Sequence, residues 1–162
     1  MKYATLVHEW FGEVWNTRDA KAIDRLLDKD GVAHGITDAN GKELRGPEEF
    51  KVFHQRFLKA FPNLTVDVED AISEGDRIAA RCIVRGKHDG DGLGFAATGR
   101  QTEFTGMCII RLREGKIIPG LHNFDFVKMH SDLEPCIFWD KSGCGKFQCA
   151  NAALTSGWVV GR

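Results

Sequence analysis

The sequence predicts an α+β domain in which a curved antiparallel sheet wraps around helices to form an open α+β barrel. Apolar residues first recur with the period of a helix, and beyond Pro62 they alternate as in a strand. Because the helices come first and the strands later, the order favours an α+β fold over a parallel βαβ fold. The length of 162 residues suits one folded domain.

Two helices and a short strand are predicted at the start of the chain. From Leu6 to Trp15 the apolar side chains follow an i, i+3, i+4 rhythm that indicates an amphipathic helix. Asp19 can cap a second helix, which Gly31 is expected to end. Residues 32–36 are predicted to form a short strand.

A longer helix and four strands complete the predicted domain. Pro47, followed by two glutamates, is typical of a helix start, and Pro62 ends the helix. Strands are then predicted over residues 64–69, 77–87, 102–112 and 116–127. A sheet curved around the long helix leaves a pocket at its open end.

Charge and cysteine content exclude several classes of protein. The chain has 22 basic and 23 acidic side chains, a net charge of −1, which gives no reason to expect nucleic acid or an anionic membrane as partner. No apolar run approaches the ~20 residues of a membrane span, and the first residues do not resemble a secretory signal. Five irregularly spaced cysteines favour free thiols. We therefore expect a cytoplasmic protein.

Residues 129–162 differ from residues 1–128, which we assign to the barrel domain. Their periodicity is poor, and they hold three of the five cysteines. Apolar residues such as Phe138, Trp139 and Trp158 make them too apolar for a solvated linker. We predict a C-terminal extension that packs on the barrel or on a partner subunit, or that has no role.

His122 is the first candidate for chemistry. Imidazole titrates near neutral pH, so the residue suits general acid/base catalysis. The alternative is a hydrogen-bonded core histidine. Strict alternation along the last strand places His122 on one apolar face together with Ile118, Gly120, Phe124 and Phe126.

Other polar residues are candidates to assist His122. Asp125 falls on the opposite face of the strand and reaches a cavity only if a β-bulge re-aims it; otherwise it is an exposed aspartate. His34, on the short strand, is a second acid/base candidate. His88, where a strand leaves the sheet, is expected to cap backbone groups. The histidines lack the spacing of metal ligands, so we expect no metal site.

Several short segments share an order and spacing that belong together. They include Gly46-Pro47-Glu48-Glu49-Phe50, Phe61-Pro62-Asn63-Leu64, Glu74-Gly75-Asp76-Arg77, Phe104-Thr105-Gly106 and Gly115-Lys116-Ile117. Over about residues 1–127 this set resembles the SnoaL-like polyketide cyclase family. The resemblance implies a nuclear-transport-factor-2-like barrel that forms a homodimer through its sheets. It also implies ring closure by intramolecular aldol condensation, without a metal or an organic cofactor.

The resemblance implies residue roles as well. The family's acid/base aspartate on the last strand corresponds to His122, and a cavity histidine on the preceding strand corresponds to Cys108. A histidine can still abstract or deliver a proton, so acid/base chemistry is compatible with this departure.

We therefore predict a cofactor-independent acid/base enzyme of cyclase, isomerase or hydrolase type that acts on a small, hydrophobic or amphipathic molecule. The alternative is a non-catalytic ligand-binding or dimerisation module on the same barrel. His122 is predicted to transfer the proton, with Asp125 or His34 assisting. The residues predicted to contact the substrate are Trp10, Trp15, Phe57, Cys108 and Phe124.

Overall fold

The computed structural model describes residues 4–134, so residues 135–162 of the predicted C-terminal extension lie outside the described residues. The role of that extension stays a prediction. The first element of the described residues is helix α1, which continues into a π-helical segment. The elements in chain order are α1 (Ala4–Glu9), the π-helical segment (Trp10–Asn16), α2 (Ala20–Leu26), β1 (Leu27–Thr37), β2 (Glu43–Arg45), α3 (Gly46–Ala60), β3 (Thr65–Glu74), β4 (Arg77–Lys87), β5 (Gln101–Arg113), β6 (Lys116–Phe124) and α4 (Phe126–Leu133).

The strands form a six-stranded sheet in the order β2-β1-β6-β5-β4-β3. The predicted α+β fold is confirmed, and strands β3 to β6 form the predicted antiparallel meander. The sheet as a whole is mixed, however, because β1 enters it beside β6 and runs parallel to it. Strands β2 and β3 remain as its two edges, so the sheet does not close into a barrel.

Strand β1 is longer than the predicted strand over residues 32–36. Helix α2 ends at Leu26, and the chain enters β1 directly at Leu27. Gly31 lies inside the strand, where a Cβ atom would stand 2.9 Å from the carbonyl oxygens of Ile117 and Ile118. The glycine is therefore explained by the close approach of β1 to β6 and does not end a helix.

The last strand is shorter than predicted. Strand β6 ends at Phe124, and Asp125 begins helix α4 by accepting a hydrogen bond from the backbone N–H of Lys128 at 2.8 Å. Met129 and Leu133 of this helix are buried. Helix α4 thus spans the predicted boundary at residue 128 and packs against strand β5 of the sheet.

The core lies between the inner face of the sheet and the helices. Side chains from every layer are fully buried there, among them Val14, Ile23, Phe61 and Ile78. Burial of this apolar surface is the main stabilising contribution to the fold. Within residues 4–134, no helix is long and apolar enough to cross a membrane.

Candidate functional site

An apolar cavity lies between the inner face of the sheet and the helical layer. About 450 Å³ of non-atom space lies among its lining side chains, a volume that includes open solvent at the mouth. Most of the lining side chains are Phe or Trp. They are Trp10, Phe11, Trp15, Ile36, Phe50, Phe53, Phe57, Leu64, Val66, Val84, Phe104, His122, Phe124 and Phe126.

His122 alone among these lining residues carries an ionisable group. Its ring makes no hydrogen bond within the described part of the chain, and its Nδ1 atom is buried without a partner. Burial lowers the pKa of His122 to about 4, and the nearby His34 adds a smaller effect in the same direction. The imidazole is therefore neutral at pH 7.

Cys108 faces His122 directly across the β5–β6 ladder. Both residues line a second, smaller space that adjoins the cavity and also contacts Gly120 and Ile117. Burial raises the pKa of the Cys108 thiol to about 11, so it is protonated at neutral pH. It therefore lacks the activation of a nucleophilic cysteine and serves as an apolar part of the wall.

Three aromatic rings follow one another on the inner face at the end of β6. The rings of His122 and Phe124 have centroids 6.2 Å apart and planes inclined by 19°. Phe126 continues the row, with its centroid 5.9 Å from that of Phe124. A Cβ atom on Gly106, the cross-strand partner of Phe124, would lie 2.2 Å from the Phe124 ring. The ring thus occupies the place of a side chain at position 106.

The structure brings together most of the residues predicted to contact a substrate. Trp10, Trp15, Phe57 and Phe124 line the cavity with His122, whereas Cys108 lines only the adjoining space. Their contact with a substrate stays a prediction.

The two residues predicted to assist His122 lie outside this wall. His34 is half-exposed, and its Nδ1 atom stands 2.9 Å from Glu43 Oε2. Its neighbour Ala33 is buried, so alternation directs His34 to the outer face of the sheet. Asp125 is exposed and caps α4. Neither position supports a role in proton transfer.

His54 is a buried histidine that sequence reasoning missed. Its Nε2 atom donates a hydrogen bond to the carbonyl oxygen of Val14 at 2.6 Å, which joins α3 to the π-helical segment. Its ring also packs edge-on against Trp15 of the cavity wall, at a centroid distance of 5.0 Å. Spacing could have found it, since it follows Phe50 by four residues and precedes Phe57 by three. His54 thus supports the cavity wall from behind.

The described residues offer no cluster for a metal: between positions 4 and 134, no three His, Cys, Asp or Glu side chains are grouped as such a site requires. Residues 5–133 match the family model described as SnoaL-like polyketide cyclase. No curated protein matches the chain significantly.

Solved structures share the fold over most of the chain. Wild-type IdmH from Streptomyces antibioticus, described as a candidate polyketide cyclase, is 29% identical with a TM-score of 0.71, and the match covers 82% of this chain and 99% of that one. AclR from Streptomyces galilaeus, described as a candidate hydroxylase, is 22% identical with a TM-score of 0.69, covering 88% and 87% of the two chains. A protein from Catenulispora acidiphila with a ketosteroid isomerase-like fold is 17% identical with a TM-score of 0.65, covering 79% and 91%. The latter two matches concern the fold alone.

Proposed function

The chain belongs to the SnoaL-like polyketide cyclase family, and on that premise we propose that it is a cofactor-independent acid/base enzyme of cyclase or isomerase type. His122 is its proton-transfer residue, and the substrate is a small, largely apolar molecule in the cavity. One observation carries the proposal: a neutral imidazole, without a hydrogen-bond partner among residues 4–134, stands in the wall of an otherwise apolar cavity. Titratable groups perturbed by burial in a cleft are typical of functional sites.

The chemistry that this geometry supports is abstraction of a proton next to a carbonyl group. A free lone pair of the His122 imidazole takes the proton, the C–H bond breaks, and its electron pair moves towards the carbonyl oxygen to give an enolate. In a cyclase the enolate carbon then attacks a second carbonyl of the same molecule. In an isomerase the imidazolium returns the proton to another carbon. Because the pKa of His122 is about 4, the neutral imidazole is a weak base that needs an acidic C–H, and the imidazolium, once formed, is acidic enough to return the proton readily.

The lining of the cavity supports an apolar substrate. Side chains such as Trp10, Trp15, Phe57 and Phe124 offer large apolar and aromatic surfaces. A charged group placed among them would lose its hydration without gaining a partner in the described wall. The carbonyl group of the substrate is expected to lie beside His122.

A second candidate, a non-catalytic ligand-binding module, is favoured by one feature of the same wall. No carboxylate of the described residues contacts His122, and the wall holds no second polar side chain that would orient the imidazole. A binding module requires no such partner.

One experiment separates the two candidates. Aryl-substituted 1,3-diketones serve as probes, with Kd measured by the quenching of tryptophan fluorescence and proton transfer by NMR-detected exchange of the acidic C–H in D2O. We expect the wild-type chain to accelerate exchange and His122→Asn to lose ~100-fold or more of that rate, with Kd changed only a few-fold. His34→Asn, which removes an imidazole outside the cavity, is the matched control and should retain the rate. Binding without accelerated exchange in the wild-type chain would establish the binding module instead.

The proposal includes a second copy of the chain as partner. Four apolar side chains are exposed on the outer face of the sheet: Ile72, Met107, Ile109 and Leu121. Ile109 pairs across the strands with Leu121 on one side and with Ala79 on the other, and Ala79 pairs with Ile72. This apolar row across four strands is the proposed dimer surface. The cytoplasmic location stays a prediction.

A further inference from the structure

Gly120 lies two residues before His122 on the same face of β6. A Cβ atom at position 120 would stand 2.5 Å from His122 Nε2, 3.1 Å from Cε1 and 3.4 Å from Cδ2. These three atoms of the imidazole are the nearest neighbours of that position. The ring therefore lies back along its own strand, in the space that any side chain at position 120 would fill.

The backbone does not explain the glycine. Gly120 is absent from the glycines with positive φ, so an alanine is compatible with its conformation. It is paired with Ile110 in the β5–β6 ladder, where a side chain is ordinary. The three atoms nearest to a Cβ atom at this position all belong to the imidazole.

We propose that Gly120 is a positioning residue for His122, because its missing side chain lets the imidazole lie against the sheet between the cavity and the adjoining space. This inference rests on the proposed function, in which His122 moves the proton. With a side chain at 120, the ring turns away from β6 towards the open part of the cavity. Its nitrogen atoms then lose the position from which they meet a substrate.

The surroundings of the ring support this role. His122 and Gly120 both line the adjoining space, and His122 also lines the cavity, so the imidazole separates the two. The titratable groups near it are the buried thiol of Cys108 on β5 and the imidazole of His34 on β1. Neither is hydrogen-bonded to the ring, so its orientation depends on packing, against position 120 on one side and with the Phe124 ring stacked beside it.

A double-mutant cycle on thermal stability tests the contact. Gly120→Ala should lower the Tm by roughly 4–10 °C, because it overpacks the site. In the His122→Ala background the same change should lower the Tm far less, since the obstacle is gone. An equal loss in both backgrounds would overturn the inference. Gly106→Ala, which meets Phe124, is the matched control, and its cost should disappear with Phe124→Ala but persist with His122→Ala.

An NMR titration of the histidine Cε1–H signals tests the positioning itself. The His122 signal, assigned by its loss in His122→Asn, should titrate near pH 4 in the wild-type chain and at least about one unit higher in Gly120→Ala, because the displaced ring is better hydrated. Gly106→Ala should leave the midpoint in place. An unchanged midpoint in a folded Gly120→Ala protein would overturn the inference.

The outcome is independent of turnover. Because neither measurement uses a substrate, Gly120 can be established as the residue that positions the ring even if exchange is absent. Conversely, the wild-type chain could accelerate exchange while Gly120→Ala lowers the Tm equally with and without His122. That result would support the proposed function and show that Gly120 does not position the ring.

Discussion

Several histidines of this chain are kept neutral by burial rather than by a charged partner. Desolvation is the largest cause of the lowered pKa of His54, His88, His122 and His130. His54 and His88 also make hydrogen bonds to backbone or side-chain groups, whereas His122 makes none within residues 4–134. One ring nitrogen of His54 and one of His88 are likewise buried without a partner in the described part of the chain, so His122 differs from them in having no hydrogen bond that anchors its ring.

The lowered pKa of His122 predicts how stability depends on pH. The unfolded chain binds a proton at this residue near pH 6.5 and the folded chain only near pH 4, so stability is full above 6.5 and falls as the pH drops towards 4. His122 contributes up to about 3 kcal/mol of this loss. Urea unfolding of the wild-type chain and of His122→Asn at several pH values measures it. The variant should lose less stability than the wild-type chain between pH 7 and pH 4. If the free energy of unfolding falls equally with pH in both, the lowered pKa of His122 is contradicted.

Single residues were predictable where one local rule decides their environment. The apolar face of the last strand placed His122 in a wall, and the position of His88 at a strand exit predicted a cap. That cap is confirmed, because the backbone N–H of Thr98 donates to His88 Nδ1 at 3.2 Å. The space that Gly120 leaves for His122 was not predictable, since it depends on the rotamer of the ring.

At the scale of the element, strict alternation mispredicts which residues face inward at the start of strand β6. The β5–β6 register shifts between Ile110 and Leu112, so β6 carries an extra residue around Pro119. In consequence Ile117 is buried, and the predicted inner residue Ile118 is only partly so. Beyond the bulge the predicted alternation holds. A bulge depends on tertiary pairing, and the sequence marks it only by a proline in a central strand.

The end of β6 gives a prediction about Asp125. Its carboxylate caps helix α4, so Asp125→Ala should cost about 1 kcal/mol in the free energy of unfolding, whereas Asp125→Asn, which can also cap, should cost less. Chemical denaturation measures both. Proton exchange on the diketone probes should stay at the wild-type rate in the two variants. A large loss of the exchange rate in an Asp125→Asn protein of wild-type stability would show that Asp125 takes part in proton transfer.

For the whole molecule, the fold class followed from the order of helical and strand periods, but the mixed sheet did not. Periodicity reveals which residues are strands and not which strands become neighbours. Val32 of β1 pairs with Pro119 of β6, and no local sequence pattern predicts a contact between residues so far apart in the chain. The sequence pointed to Trp10, Trp15, Phe57, His122 and Phe124 of the cavity wall, but the rest of the lining depends on long-range packing that no local pattern reveals.

The proposed dimer surface is tested at the same scale. We expect the wild-type chain to sediment as a dimer, and Leu121→Lys or Ile109→Lys to shift it to a monomer, because a lysine in the apolar row would lose hydration in the interface. Val52→Lys, which replaces an exposed apolar residue of α3, is the control and should remain dimeric. A monomeric wild-type chain at micromolar concentration would contradict the proposal.

The parallel pairing of β1 with β6 also has a consequence for synthesis on the ribosome. Strand β1 emerges early, but one of its two neighbours is β6, the last strand of residues 4–134, so the nascent chain cannot complete this sheet until residue 124 has left the exit tunnel. Until then the edge of β1 that pairs with β6 is unpaired, and the cavity lacks the wall that His122 and Phe124 supply. Contacts this distant in sequence slow folding, so we expect the late step of refolding to be the docking of β6. A chain halted before that strand is therefore a natural client for a chaperone.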